Sequence, residues 1–499
     1  MLAFAVLLGA VTVGGFAPFG LTAVPIVTIA LLFALWQRAE KPRHAAAIGF
    51  AFGLGLFSAG ATWVYIALAT FGGMPAFIAA LATAGFVGLL SLWPALAGYA
   101  ATSFTPVASI ARLFAAAAAW PIAEWLRGYS FTDFPWLSAG YSQLPGSPLA
   151  GYAPVGGVFS VSLAVAVLAA LLAVVFASLA DRAWPRIAMA LAGAIAVAIG
   201  GAAFGAIEWT TPRGAPLAVS LVQGNIMLDE KFDVAERDRT FAIYAGLVEQ
   251  SRGRLVVLPE SAFAMFANDV PEDVYLQLAR VATARRGDVL LGLFTTEAPL
   301  PGTDDVRYYN TVVALGSSEV QLYRKRHLVP FGERIPAKAL LGFIVRNILA
   351  IPLADQTPGD PAQPPFSVAG TRVAVNICYE DAFGAELIDA ARTAALLVNV
   401  TNDAWYGHSI AARQHNQISA MRALELGRPM LRATNTGITS AFGHDGREIA
   451  ALPWFARGIL EVTIDGRDGS TPYQRWSDGL ALGLAFALFA GALAMARRR

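Results

Sequence analysis

Residues 254–261 read RLVVLPES and residues 372–381 read RVAVNICYED. Each starts as an aliphatic run and stops at polar residues, Pro259-Glu260-Ser261 in the first and Cys378-Tyr379-Glu380-Asp381 in the second. Leu396–Val400 likewise runs into Thr401-Asn402-Asp403. Runs that are apolar throughout, without the alternation of a half-exposed strand, predict strands buried on both faces. Leu217–Val222, Val289–Leu293, Thr311–Leu315 and Gly458–Ile464 extend the series. Helical patterns at Val234–Gln250, Val274–Arg285 and Ala411–Gly427 fall between some of them. That order predicts a layered α/β domain, in which reactive groups collect where strands end.

Outward from residues 213–468, the solvent changes. Of the 71 Asp, Glu, Lys and Arg residues, 12 lie in residues 1–212 and 59 in the remainder, and 56% of the chain is hydrophobic. Apolar stretches near 2–19, 21–36, 46–69, 75–101, 107–126, 155–180 and 186–206 predict seven spanning helices in a membrane domain over 1–212. An eighth is predicted at 477–495, within a 476–499 segment that ends in a basic tail. The first stretch lacks a basic leader and an A-x-A exit, so it reads as a membrane helix. Arg38, Lys41 and Arg43, then Arg182 and Arg186, then Arg497-Arg498-Arg499 fall on one side when every stretch spans. Basic loops mark the cytoplasmic side, which places 213–468 outside. Glu124 and Arg127, beside Trp120 and Trp125, read as an interfacial anchor.

Several function classes lose their support. A net charge of +1 provides no field for nucleic acid, and none is expected as a partner. A single cysteine, Cys378, rules out an internal disulfide and any multi-thiolate metal site. No G-x-S-x-G, H-E-x-x-H, Walker or G-x-G-x-x-G signature occurs. His408 and His415, seven apart, read as surface or capping residues, so neither a metal nor a cofactor is expected.

Taken singly, Glu260 reads as a capping carboxylate, Cys378 as a small buried hydrophobe and Lys325 as a solvated charge in a basic turn. Together they make a nucleophilic site. A thiol needs a base, which Glu260 supplies, and a cation to hold a thiolate at neutral pH, which Lys325 supplies. Lys325 and the backbone after Cys378 also suit a developing oxyanion, with Glu333 orienting the lysine.

The blocks around these residues resemble the Glu, Lys and Cys blocks of the nitrilase (carbon–nitrogen hydrolase) superfamily. HLVPFGE at 327–333, SLVQGNI at 220–226, NDAWYG at 402–407, ATNTG at 433–437 and WLRGYSFTDFPWLSAGYSQ at 125–143 resemble, more narrowly, its membrane-bound apolipoprotein N-acyltransferase family. The resemblance implies a multi-pass α-helical membrane domain of eight spans plus an α/β nitrilase-like αββα sandwich on the periplasmic side of the bacterial inner membrane. It implies Glu260 as general base, Cys378 as acyl-carrying nucleophile and Lys325 as oxyanion stabiliser, with Glu333, Tyr379 and Glu380 as accessory residues. The donor would be a membrane phospholipid and the acceptor the α-amino group of a diacylglyceryl-apolipoprotein. Met227 and Phe232 stand where the family pattern has proline and tryptophan, so Phe232 keeps an aromatic face for substrate but no indole N–H. A membrane-tethered amidase or nitrilase would use the same three residues with water as acceptor. A transporter would need more ionisable residues within its spans than Arg112 and Glu124. Finally, Ala339–Leu353 is apolar but short of a span, and reads as an interfacial lid whose Phe343 and Ile344 guide acyl chains, or else as a core helix.

Overall fold

The computed structural model describes residues 1–298, 306–334 and 355–497. They form two compact units, one of Met1–Tyr65, Ala76–Trp209 and Thr471–Arg499, the other of Ile66–Pro75 and Thr210–Ser470.

The first unit is helical. By length and composition four of the described helices can cross a membrane: Ala76–Ser103, Pro148–Leu179, Trp184–Gly205 and Gly479–Arg497. Pro42–Gly60 with its bent continuation Trp63–Phe71 makes a fifth if the pair is one span. Leu2–Gly15 and Ala23–Gln37 are apolar but shorter. Small residues let these helices approach closely: a Cβ on Gly9 would strike the Phe52 carbonyl, and one on Gly55 the Val6 carbonyl. Ile110–Tyr129 contains Arg112, Glu124 and Arg127, all buried. Arg112 donates to the carbonyls of Ala39 at 2.6 Å and Thr105 at 2.7 Å, and also to Gln37, so its charge is spent on carbonyls at a helix end. Glu124 accepts from Trp120 Nε1 and Ala139 N, both at 2.8 Å, and Arg127 donates to Ser138 Oγ. The expected interfacial anchor is therefore an interior polar joint.

The second unit holds two six-stranded sheets and a two-stranded one. Its strands begin with β1 (Thr210–Pro212), β2 (Leu217–Gln223), β3 (Leu255–Val257), β4 (Asp288–Glu297), β5 (Arg307–Gly316), β6 (Gln321–Arg324) and β7 (Phe366–Val368). They continue with β8 (Thr371–Ile377), β9 (Leu396–Thr401), β10 (Met430–Thr434), β11 (Ser440–Phe442), β12 (Glu448–Ala451), β13 (Gly458–Ile464) and β14 (Arg467–Gly469). The sheet orders are β13-β2-β3-β4-β5-β6 and β12-β11-β10-β9-β8-β7, with β1 paired to β14. Strands β2, β3 and β4 run parallel, as do β8, β9 and β10.

Alternate residues face alternate layers. Leu217, Val219, Leu221, Leu255, Val257 and Leu290 meet Val373, Val375, Ile377, Leu396, Val398 and Val400 in one core between the sheets. Val222, Val256, Val289 and Leu291 point the other way, onto Phe241, Tyr244 and Val248 of helix Arg237–Gln250 and Val274 and Leu278 of helix Glu272–Ala284. Helices Gly384–Ala391 and Ala411–Leu426 cover the second sheet. Burial on both faces is why the strands read as unbroken apolar runs. At about 25 cal/mol per Å² of apolar surface, each wholly buried Leu, Ile or Val contributes roughly 1.5–3 kcal/mol.

Candidate active site

Parallel strands of both sheets deliver their carboxyl ends to one region. Glu260 follows β3, Cys378 ends β8, Asn402 and Asp403 follow β9, and Asn435 follows β10. Lys325 follows β6, which lies antiparallel to β5. Cys378 sits at the turn from β8 into the tight helical segment Cys378–Ala382 with a φ of 53°, a left-handed conformation unusual for a residue with a Cβ.

Glu260, Lys325 and Glu333 form a chain. Lys325 Nζ is 2.7 Å from Glu333 Oε1 and 3.4 Å from Glu260 Oε1, and the lysine is 1% exposed. Burial works against its charge, but Glu333 and then Glu260 overcome that and hold it protonated. Asn310 Nδ2 donates to the same Glu260 Oε1 at 2.7 Å, while its backbone carbonyl takes the Lys325 N–H at 2.8 Å. Glu260 Oε2 has no hydrogen-bond partner among the described residues, so one oxygen is tethered and the other is open to a proton.

The thiol responds to all of this. Burial, then the Glu260 charge, push Cys378 well up, while Lys325 and the Thr401 hydroxyl pull the other way. That hydroxyl is buried and meets the geometry of a full hydrogen bond with no group among the described residues, so its pull on the thiol is weak. The sequence reading expects a thiolate held at neutral pH; burial and Glu260 outweigh the lysine and favour the protonated thiol instead. A base that acts as the bond forms is what such a site calls for.

The accessory residues divide. Glu333 bonds Lys325 through one oxygen and takes the Val329 N–H at 2.9 Å with the other. Glu380 is saturated: it accepts from Ile377 N at 2.6 Å, Arg326 N at 2.8 Å, His327 N at 3.2 Å and the Tyr323 hydroxyl. It therefore pins the lysine block to the cysteine turn. Tyr379 stands edge-on to His327 and Phe383, which stack at 3.6 Å between centroids. Phe232 is half-buried at the end of the short helix Leu228–Lys231, and Met227 is exposed. Phe343, Ile344 and the whole 339–353 segment lie outside the described residues.

Two features escape the sequence reading. Lys231, next to Phe232, is buried and donates to the Glu260 carbonyl oxygen at 3.0 Å. Burial brings its pKa down to about 8, against upward pulls from Glu260 and Cys378, so a second lysine stands in the site. Its signal is the lysine of QGNIMLDEKF, the motif stretch that leads from β2 into the site. His415, read as a surface residue, is wholly buried between Asp381 and Asp403. The motif residues Gln223 and Asn435 join strand ends: Gln223 Oε1 takes the Thr439 N–H, and the Asn435 amide pairs with the backbone of Ile226 at 2.7 and 3.0 Å.

Residues 8–171 match the apolipoprotein N-acyltransferase N-terminal domain, and residues 218–473 match the carbon–nitrogen hydrolase family. The apolipoprotein N-acyltransferase of Nitrosomonas europaea is 47% identical over 98% of this chain and 96% of its own. Those of Methylococcus capsulatus and Ralstonia nicotianae are 43% and 42% identical over 97% and 99% of this chain and 94% and 93% of theirs. The chain belongs to the apolipoprotein N-acyltransferase family. Its nitrilase-like domain and its apolar helices are the two parts that this membership requires, since a hydrolase-type fold alone would lack the first matched region.

Proposed function

We propose that this chain moves an acyl group from a membrane phospholipid, through a thioester on Cys378, to the α-amino group of the N-terminal S-diacylglyceryl-cysteine of apolipoproteins. The observation that carries the reading is a buried thiol at a sharp strand end, in the combined field of a carboxylate with one open oxygen and a lysine clamped between two carboxylates. In the first half-reaction Glu260 Oε2 takes the Sγ proton as sulfur attacks the ester carbonyl. Lys325 and a backbone N–H after Cys378 face the oxyanion. The tetrahedral species collapses, the Glu260 proton goes to the leaving alkoxide, and a lysophospholipid departs. In the second, the neutral amine attacks the thioester, Glu260 takes the amine proton and returns it to sulfur, and an amide leaves. Phe232, and Phe343 and Ile344 of the 339–353 segment, are the proposed acyl contacts.

The membrane part serves both substrates, which are lipid-anchored. We place residues 1–212 as seven spans, 476–499 as an eighth with a cytoplasmic tail, and 213–468 on the periplasmic side of the inner membrane. The basic loops support that orientation. A reporter active only in the cytoplasm is expected to work after Arg499 or within 38–44 and to be silent at 356–362; the opposite pattern inverts the topology.

The test of the chemistry is acyl-labelled phospholipid given to the detergent-solubilised protein. Label should appear on Cys378 and then on the α-amine of a diacylglyceryl peptide, and Cys378→Ala should abolish both. Release of free fatty acid with no acylated peptide would make the protein a hydrolase, and full turnover by Cys378→Ala would end the thioester route.

A further inference from the structure

Behind the thiol lies a buried set of four charged side chains for which the transfer steps have no use. Asp381 belongs to the cysteine turn, Asp403 follows β9, Arg432 lies on β10, and His415 projects from helix Ala411–Leu426. All four are 2% exposed or less. Arg432 Nη1 bonds Asp381 Oδ2 at 3.1 Å and Nη2 bonds Asp403 Oδ2 at 3.1 Å. His415 spans the same two carboxylates, with Nε2 2.9 Å from Asp381 Oδ1 and Nδ1 2.9 Å from Asp403 Oδ1. Ionised carboxylate oxygens only accept hydrogen bonds, so both ring nitrogens must carry protons. The ring is then a cation, and two aspartates, one arginine and one imidazolium make an electrically neutral set, as burial in a low dielectric demands.

The set reaches the nucleophile through its main chain. His415 Nε2 shares its one proton between Asp381 Oδ1 at 2.9 Å and the Cys378 carbonyl oxygen at 3.3 Å, and Asn399 Nδ2 donates to that same carbonyl oxygen at 3.0 Å. Asn399 is in turn held by Arg432 Nη1 at 2.8 Å. Two donors anchored in one rigid ionic set thus converge on the carbonyl of the residue that sits at a φ of 53°. A left-handed cysteine persists only where its surroundings over-determine it, and its carbonyl direction sets where the Cβ, and with it Sγ, points.

We propose that His415, held as an imidazolium between Asp381 and Asp403, is a positioning residue of the transfer reaction: with Asn399 it grips the Cys378 carbonyl oxygen and so fixes the turn that aims the thiol. This rests on Cys378 being the nucleophile. Losing the grip lets the turn relax, and a misplacement of about 1 Å at a reacting atom is enough for roughly a hundredfold loss of rate. The grip acts on the turn and on no acyl contact proposed above, so the half-saturating donor concentration should stay unchanged.

The experiment measures the single-turnover rate of thioester formation from labelled phospholipid, as a function of donor concentration, for the full-length protein in detergent. The variants are His415→Asn and Asn399→Ala, and rates are referred to the folded fraction found by thermal unfolding. Both variants should form thioester ten- to hundredfold more slowly at saturating donor with the half-saturating concentration unchanged. Asn399→Ala keeps the test open should His415→Asn fail to fold, because it removes one carbonyl donor and leaves all four charged side chains in place. A maximal rate per folded molecule within twofold of the parent in either folded variant overturns the proposal. So does a loss expressed wholly in the half-saturating concentration. Absence of any thioester in the unaltered protein is a different result, and it would remove the nucleophile assignment itself.

Discussion

Replacing Lys231 by methionine should make the nitrilase-like domain more stable at pH 7. The ammonium is 6% exposed and has one hydrogen bond among the described residues, to the Glu260 carbonyl. Its pKa falls from 10.5 to about 8, chiefly through burial. At 1.36 kcal/mol per unit, holding the charge inside costs about 3 kcal/mol at neutral pH. Methionine removes that cost but leaves the Glu260 carbonyl unpaired, a loss of about 1–2 kcal/mol, for a net gain of about 1–2 kcal/mol. For a domain of this size that is a rise of several degrees in Tm, at roughly 2–4 °C per kcal/mol. The pH dependence separates this cause from others. Because the folded pKa is depressed, the unfolded chain binds the extra proton between about pH 8 and 10.5, so the parent gains stability as pH rises through that window. Below pH 8 the cost is present in full. About 2 kcal/mol of it is relieved between pH 7 and 9.5, so the variant's advantage should vanish or reverse there. Thermal unfolding of both proteins in the same detergent at the two pH values measures it. A variant less stable than the parent at pH 7, or a difference that ignores pH, refutes the reasoning.

Three further outcomes follow from the site. Alkylation of Cys378 by iodoacetamide should be slow at pH 7 and still rising past pH 9, since burial and Glu260 hold the thiol up; saturation near neutrality would mean a stored thiolate. Glu260→Gln should cut thioester formation by about 10²–10⁴-fold in folded protein, the usual worth of a general base, and an unchanged single-turnover rate would reassign the base. Glu333→Gln replaces the ion pair at 2.7 Å from Lys325 by a contact with a neutral acceptor, and a loss of about 1.5 kcal/mol predicts roughly tenfold slower acylation; no slowing would mean that Glu260 alone positions the lysine.

What can be read from the chain follows from what is buried against what. β2, β3, β8 and β9 are legible because each lies between two apolar layers and so shows no polar break. β10 is not: Arg432 and Thr434 are inside the fold, and a strand that buries an arginine looks like a loop. Helix Ala411–Leu426 misleads in the same way, since Gln414, His415, Asn416, Arg422 and Glu425 are buried along with its apolar residues. A polar helix implies a surface only when its polar groups have no partners inside, and here Asp381 and Asp403 provide them. Ile110–Tyr129 is the membrane counterpart, with three charges that would speak for an interface answered by interior carbonyls, hydroxyls and an indole.

Residue type alone leaves the same gap within the site. Glu260, Glu333 and Glu380 all stand in motifs of one family, and nothing in the letters separates them. Their remaining hydrogen-bonding capacity does. Glu380 gives both oxygens to four donors and has nothing left for a substrate proton. Glu333 divides its two between Lys325 and Val329 N, which suits holding the lysine. Glu260 has both of its tethers on Oε1. A base must be fixed in place and still have somewhere to receive a proton, and of the three only Glu260 meets both conditions. The two cations sort by the same test: Lys325 is committed to two carboxylates and stays charged, whereas Lys231 has only a carbonyl and titrates near pH 8. In the proposed mechanism the first faces the oxyanion with its charge intact at any working pH. The other can lose its proton within the range where the acceptor amine must also be neutral to attack.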